Sequence, residues 1–145
     1  TRLIGGKTDV VMMLNGALAG LVSITAEPLA PSPMLAIGIG SVGSIIMFFG
    51  SQLLNSLRLD DVVGAIPVHM FAGIWGTLVV PISNDEANFS IQIIGVASVV
   101  IFTFILSYIA FYVLNQLIGL RISNEAEKLG TDVVEIGVRA YAIRD

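Results

Sequence analysis

The chain has no cysteine and a single histidine, and only 12% of its 145 residues are charged. Without cysteine there is no disulfide framework and no thiolate metal site, and the redox compartment stays open. The low charge excludes an ordinary soluble domain, in which about a quarter of residues are charged. No basic patch points to nucleic acid. The start lacks the basic stretch, short apolar core and small-residue cleavage site of a signal peptide. It opens on Thr1 and reads as a truncated N-terminus.

What stands in place of charge is apolar sequence: 55% of residues are hydrophobic and the mean hydropathy is +0.90. The charges fall in short intervals, leaving apolar runs of roughly the 17–25 residues that a helix needs to cross ~30 Å of hydrocarbon. The expected fold is an all-α membrane protein with four transmembrane helices, at about 9–26, 34–57, 62–81 and 91–120. Residues 1–120 then form the transmembrane domain and 121–145 a polar tail. The proline-rich Glu27–Pro33, Arg58–Asp61 and Ser83–Ser90 separate the spans, the first because no helix crosses such a stretch unbroken.

Basic residues set the orientation, since cytoplasmic loops of membrane proteins hold an excess of Lys and Arg. Arg2 and Lys7 precede the first span, Arg58 lies between the second and third, and Arg121, Lys128, Arg139 and Arg144 follow the fourth. With four crossings, all 7 basic residues fall on one side. The tail is therefore expected in the cytoplasm of a multi-pass protein of the plasma or inner membrane.

Close helix packing in lipid relies on small residues that let backbones approach. Gly16 and Gly20, then Ala36, Gly40 and Ser44, then Ala72 and Gly76 form such stripes at four-residue spacing in the first three spans. They are read as packing rather than chemistry. The fourth span carries Phe102, Phe104, Tyr108, Phe111 and Tyr112 and few glycines, which places it on the outside of a bundle, partly facing lipid.

His69 lies inside the third span. An ionisable side chain there is costly and usually turns toward the bundle interior or a watery path. On an α-helix it shares its face with Ala65, Ile66, Ala72, Gly73 and Gly76, mostly small residues, which suits either a narrow conduit or a tightly packed neighbour. Pro67 lacks a backbone N–H and should bend the helix and free the Val63 carbonyl. Asn15, Ser23 and Thr25 are the other polar candidates within the spans. Hydroxyls are usually satisfied by their own helix, so Asn15 is the one that demands a partner.

No paired carboxylates lie in a span, the lone histidine has no nearby nucleophile or ligand partner, and no glycine-rich phosphate loop is present. An enzyme, a bound metal and a cofactor are therefore not expected. An imidazole can instead exchange protons or hydrogen bonds near neutral pH with a small passing molecule.

Three stretches carry a resemblance: NGALAGLVSITA at Asn15–Ala26, VHMFAGIWGTL at Val68–Leu78, and GLRISNEAEKLGTD at Gly119–Asp132 with Ala140 and Tyr141 beyond it. In their order and spacing they closely resemble successive motifs of the ammonium transporter family, Amt/Mep/Rh. The resemblance covers essentially the whole chain. It implies the last four of eleven transmembrane helices, built as an inverted-repeat bundle, plus the cytoplasmic tail. It also implies a homotrimer with one narrow hydrophobic pore per subunit and two hydrogen-bonded histidines at mid-membrane. His69 matches the second of these, and Thr25 matches a threonine beside the conduit.

Three departures stand out. Gly64 replaces a helix-capping aspartate usual five residues before the histidine, although Asp60 and Asp61 match. Pro67-Val68-His69-Met70 replaces a GVHG run, and Ile136 and Val138 replace the histidine and glutamate of an HGE run in the tail. The last puts in doubt tail-dependent regulation, including docking of the P-II-type regulatory protein that some relatives bind.

The leading reading is transport of ammonium or ammonia across the lipid bilayer by the parent protein, with His69 and Thr25 lining the conduit and Pro67 and Asn15 structural beside it. The rival readings are an ammonium-sensing membrane domain of a signalling protein and an inactive packing scaffold. This stretch alone is expected to transport nothing, because half of the pore wall would be missing.

Overall fold

The computed structural model describes residues 6, 8–29 and 31–139. Arg2, Lys7, Arg144 and the Ala140–Tyr141 pair lie outside them. Among the described residues the ordered elements are all helical: α1 (Val10–Ile24), α2 (Pro33–Ser56), a π-helical turn (Ile66–Phe71) leading into α3 (Ala72–Ser83), α4 (Phe89–Ile118), α5 (Asn124–Leu129) and a second π-helical turn (Asp132–Ile136). Two compact units divide the chain, Thr1–Val99 and Val100–Asp145.

Three helical stretches are long and apolar enough to cross a membrane: Pro33–Ser56, Ile66–Ser83 and Phe89–Ile118. At 1.5 Å per residue they extend about 36, 27 and 45 Å. The 15 residues of α1 reach only about 22 Å, so this helix is shorter than the run read from hydropathy.

The helix ends follow from local chemistry. Asp9 caps α1, its carboxylate accepting from the Met12 N–H at 3.0 Å. Ser32 caps α2 through the Leu35 N–H at 3.3 Å, with Pro33 next, where a missing N–H costs nothing. At the other end of α2 the Leu59 N–H returns to the Leu54 carbonyl at 3.0 Å, a six-residue closure that needs a left-handed residue before it. Arg58 takes that conformation, with φ 56°, and is the one non-glycine residue with positive φ among those described. Asn88 accepts the Ser90 N–H at 2.9 Å at the start of α4, and Asn115 accepts the Leu120 N–H at 3.1 Å at its end.

The third span begins at Ile66, later than the expected 62. Gly64 is left-handed, with φ 77°, which keeps Val62–Gly64 out of the helix. Asp61 then reaches over this turn, accepting from the Ala65 and Ile66 N–H groups, each at 2.8 Å. Pro67 consequently sits in the first helical turn rather than bending an established helix. At the far end Pro81 does not stop the helix, which continues to Ser83. One lost bond in the last turn is tolerable there.

Within the first unit α2 runs antiparallel to α1, and α3 runs parallel to α1. The small-residue stripes mesh where the helices cross. A Cβ on Gly20 would lie 3.3 Å from the Gly40 carbonyl oxygen, and one on Gly40 would lie 3.3 Å from that of Gly20. Ser44 donates across the interface to the Gly16 carbonyl at 2.7 Å. Ala19, Met47, Val68 and Ala72 form the buried cluster between the helices. Trp75 closes the α2–α3 contact, donating its indole N–H to the Ile39 carbonyl at 3.0 Å. No residue of α4 is buried.

In the second unit Ser123 caps α5 by accepting the Ala126 N–H at 3.2 Å. Gly130 and Gly137, with φ of 96° and 75°, turn the chain at the ends of α5 and the second π-helical turn.

Candidate functional site

His69 lies in the π-helical turn Ile66–Phe71. The face expected for an unbroken α-helix is divided there. Pro67, Val68, Ala72 and Gly76 are buried, whereas Ala65, Ile66, His69 and Met70 are exposed. A π-helix bonds each amide five residues back instead of four, which changes the angular spacing and separates His69 from Ala72 and Gly76. The Ala72 N–H reaches back to the Pro67 carbonyl in this manner. The imidazole thus stands on the side of the third helix turned away from the α1 and α2 contacts. Among the described residues it has no hydrogen-bond partner, leaving one ring nitrogen free to donate and the other to accept when neutral.

Two side chains of α1 hold the backbone on either side of this turn. Asn15 donates its Nδ2 to the Val63 carbonyl at 3.0 Å, so the amide that demands a partner and the carbonyl left outside the helix satisfy each other. Gly64 makes this approach possible, since a Cβ there would lie 2.5 Å from Asn15 Nδ2. Ser23 Oγ lies 2.8 Å from the Ala19 carbonyl of its own helix and 3.3 Å from that of Ala72. It is 1% exposed and is the one buried polar residue among those described.

Gly43 of α2 and Gly76 of α3 leave no space for a Cβ beside Ser23. Gly50 likewise receives the Phe71 ring and lies near Pro67 Cβ, which a Cβ of its own would approach to 3.3 Å. These close approaches fix how deeply the π-helical turn beds against α2.

The other predicted residues separate into two places. Asn15 and Pro67 line a cavity of about 150 Å³ with a mixed wall, polar at Asp9, Ser51 and Asp61 and apolar at Met12 and Leu54, and neither His69 nor Thr25 is among its lining residues. Thr25 is exposed at the C-terminal end of α1 and donates to the Val22 carbonyl of its own helix at 2.7 Å. Thr25 and His69 are not joined by a hydrogen bond.

Sequence reasoning misses the clamp formed by Asp61, which reads as part of the loop, and the Trp75 bond to Ile39. The signal for the second is general, since a tryptophan inside an apolar span needs a partner for its N–H. The described residues contain no group of three or more His, Cys, Asp or Glu side chains able to hold a metal ion.

Residues 1–141 match the model of the Ammonium Transporter Family. A protein of Synechocystis sp. bearing an ammonium-transporter name is 43% identical over 133 residues, covering 90% of this chain and 30% of its own. An ammonium transporter of Archaeoglobus fulgidus is 36% identical over 161 residues, covering 97% and 34%. One from Haloferax mediterranei is 33% identical over 141 residues, covering 94% and 27%. The chain spans about a third of the length of these relatives.

Proposed function

The chain belongs to the ammonium transporter family, and from that premise we propose that the whole protein moves ammonium or ammonia across the bilayer, with the His69 imidazole facing the conduit. The observation that carries this is the placement of His69: the chain's single histidine is exposed, without a hydrogen-bond partner among the described residues, on a helix that buries its opposite side. An ionisable side chain within an apolar span is costly and turns toward a polar partner or a watery path. Thr25, at the C-terminal end of α1, is proposed to stand beside the same path and not to contact the histidine. Asn15 and Pro67 belong to the scaffold under it.

The proposed context is a homotrimer in the plasma or inner membrane with the tail in the cytoplasm, which accounts for the single-sided basic residues. In this reading residues 1–145 are one wall of the pore and do not conduct alone. Docking of a P-II-type regulator is not proposed, because Ile136 and Val138 lack the polar groups of the HGE run.

The test is ammonium-dependent uptake and current in proteoliposomes holding the whole transporter, compared with His69→Ala folded to the same oligomer. A loss of at least tenfold in rate, or loss of selectivity against water and potassium, is expected. Equal rates and selectivity in the two proteins would remove His69 from the conduit. Saturable ammonium binding without any flux would replace transport by sensing.

A further inference from the structure

We propose that Asn15 and Ser23 are positioning residues for His69, holding the two ends of its π-helical turn so that the imidazole faces away from α1 and α2. This rests on the conduit reading of His69 above.

The geometry is that of a bracket. Asn15 holds the Val63 carbonyl at 3.0 Å, and Ser23 lies 3.3 Å from the Ala72 carbonyl. His69 falls between these two anchor points. On α1 the anchors are eight residues apart (15 to 23), while the segment they bracket spans nine (63 to 72). The segment is one residue longer than the α1 stretch beside it, and it holds both the left-handed Gly64 and the wider π-helical turn.

The widening sets the histidine's direction. Successive residues of an α-helix are turned by about 100°, so relaxing the turn to plain α-helix while Ala72 stays buried would swing the imidazole around the axis. Neither anchor can slide to allow this. Ser23 is enclosed by Gly43 and Gly76, and Asn15 lies against the left-handed Gly64. Pro67, buried at the start of the turn, has no N–H with which to compete for the Val63 carbonyl. Removing an anchor therefore frees the register without touching His69.

The test uses the whole transporter in proteoliposomes with Asn15→Leu, Ser23→Ala, His69→Ala and the double variant Asn15→Leu with Pro67→Ala, recording thermal stability, uptake rate and the pH at half-maximal uptake. Asn15→Leu is expected to lose at least tenfold in maximal rate with little change in the half-saturating concentration. Ser23→Ala, a smaller truncation that keeps the contact with Gly43 and serves where Asn15→Leu does not fold, is expected to shift the pH midpoint.

The double variant separates positioning from mere stability. Pro67→Ala supplies an N–H that reaches the Val63 carbonyl once the Gly64 turn is drawn into a plain α-helix, so the double variant should regain thermal stability and keep the low rate. Recovery of rate along with stability would overturn the proposal, as would a folded Ser23→Ala with unchanged rate and pH profile. If His69→Ala itself transports normally, the conduit reading fails instead. Loss in His69→Ala with normal flux in both single anchor variants would sink positioning alone.

Discussion

The main chain of Gly43 lies directly under the hydroxyl of Ser23, so that a Cβ at position 43 would fall on Ser23 Oγ and within 2.8 Å of Ser23 Cβ. The hydroxyl in turn shares its one proton between the Ala19 carbonyl at 2.8 Å and, more weakly, that of Ala72 at 3.3 Å. One small polar side chain therefore joins three helices, and the joint depends on a missing methyl group.

Gly43→Ala and Gly76→Ala are both expected to destabilise the protein by about 1–3 kcal/mol, the range for overpacking a filled core. Gly38 and Gly95 leave open space, with nothing within 4 Å of where a Cβ would stand. Alanine at either should leave the protein unchanged or stabilise it by about 0.5–1 kcal/mol through helix propensity. Thermal unfolding in detergent compares the four variants; equal midpoints for all of them would refute the close approach.

Asp61→Ala removes both acceptors at the start of the third span. A loss of about 0.5–2 kcal/mol is expected, as for other helix caps. Asp61→Asn, whose amide keeps one acceptor oxygen, should lose less. Hydrogen exchange at the Ala65 and Ile66 amides is the local readout, and unchanged protection in Asp61→Ala would show that the clamp contributes nothing.

Gly64→Asp would place there the aspartate that the family resemblance leads one to expect, and it should destabilise. A side chain at φ 77° costs about 1–2 kcal/mol, and its Cβ would displace the Asn15 amide. The penalty should shrink when Asn15→Ala is combined with it, since the displaced group is then gone. A double-mutant cycle on unfolding free energies checks the coupling, and strict additivity would disprove it.

Trp75→Phe keeps an aromatic ring and loses the N–H bonded to the Ile39 carbonyl. The expected cost is about 0.5–1.5 kcal/mol, typical of one hydrogen bond. Trp75 is the one tryptophan of these 145 residues, and its own fluorescence, taken as the difference from Trp75→Phe, reports on the same contact. An emission maximum that follows solvent polarity in the folded protein would contradict the bond.

Helix type and packing are legible where composition and periodicity speak directly. The stripe of Gly16 and Gly20 does meet that of Gly40 and Ser44, because four-residue spacing of small residues admits few uses in lipid. The need of Asn15 for a partner and the free carbonyl of Val63 are both visible in the sequence, but not that each answers the other. Such a pairing joins residues 48 apart and depends on the angle at which two helices cross. A helical wheel misplaces the face of His69 because it assumes a constant pitch, and a π-helical turn leaves no periodic signature in six residues. The short α1 is concealed for another reason: hydropathy does not stop where the hydrogen bonding does.

Arg58 holds a backbone conformation that glycine would adopt freely, in a cap that glycine would complete. It is also the one basic residue between the second and third spans. Conformation and topogenesis make opposite demands on this position. A glycine would ease the turn and leave the loop without its one cation, the type of residue that biases a loop toward the cytoplasmic side during insertion. Arg58→Gly should therefore give a protein that unfolds at a higher temperature but is synthesised with a larger misoriented fraction, measurable by protease protection in inverted vesicles. With that outcome, what equilibrium stability loses at this residue would be recovered earlier, while the nascent chain is choosing a side.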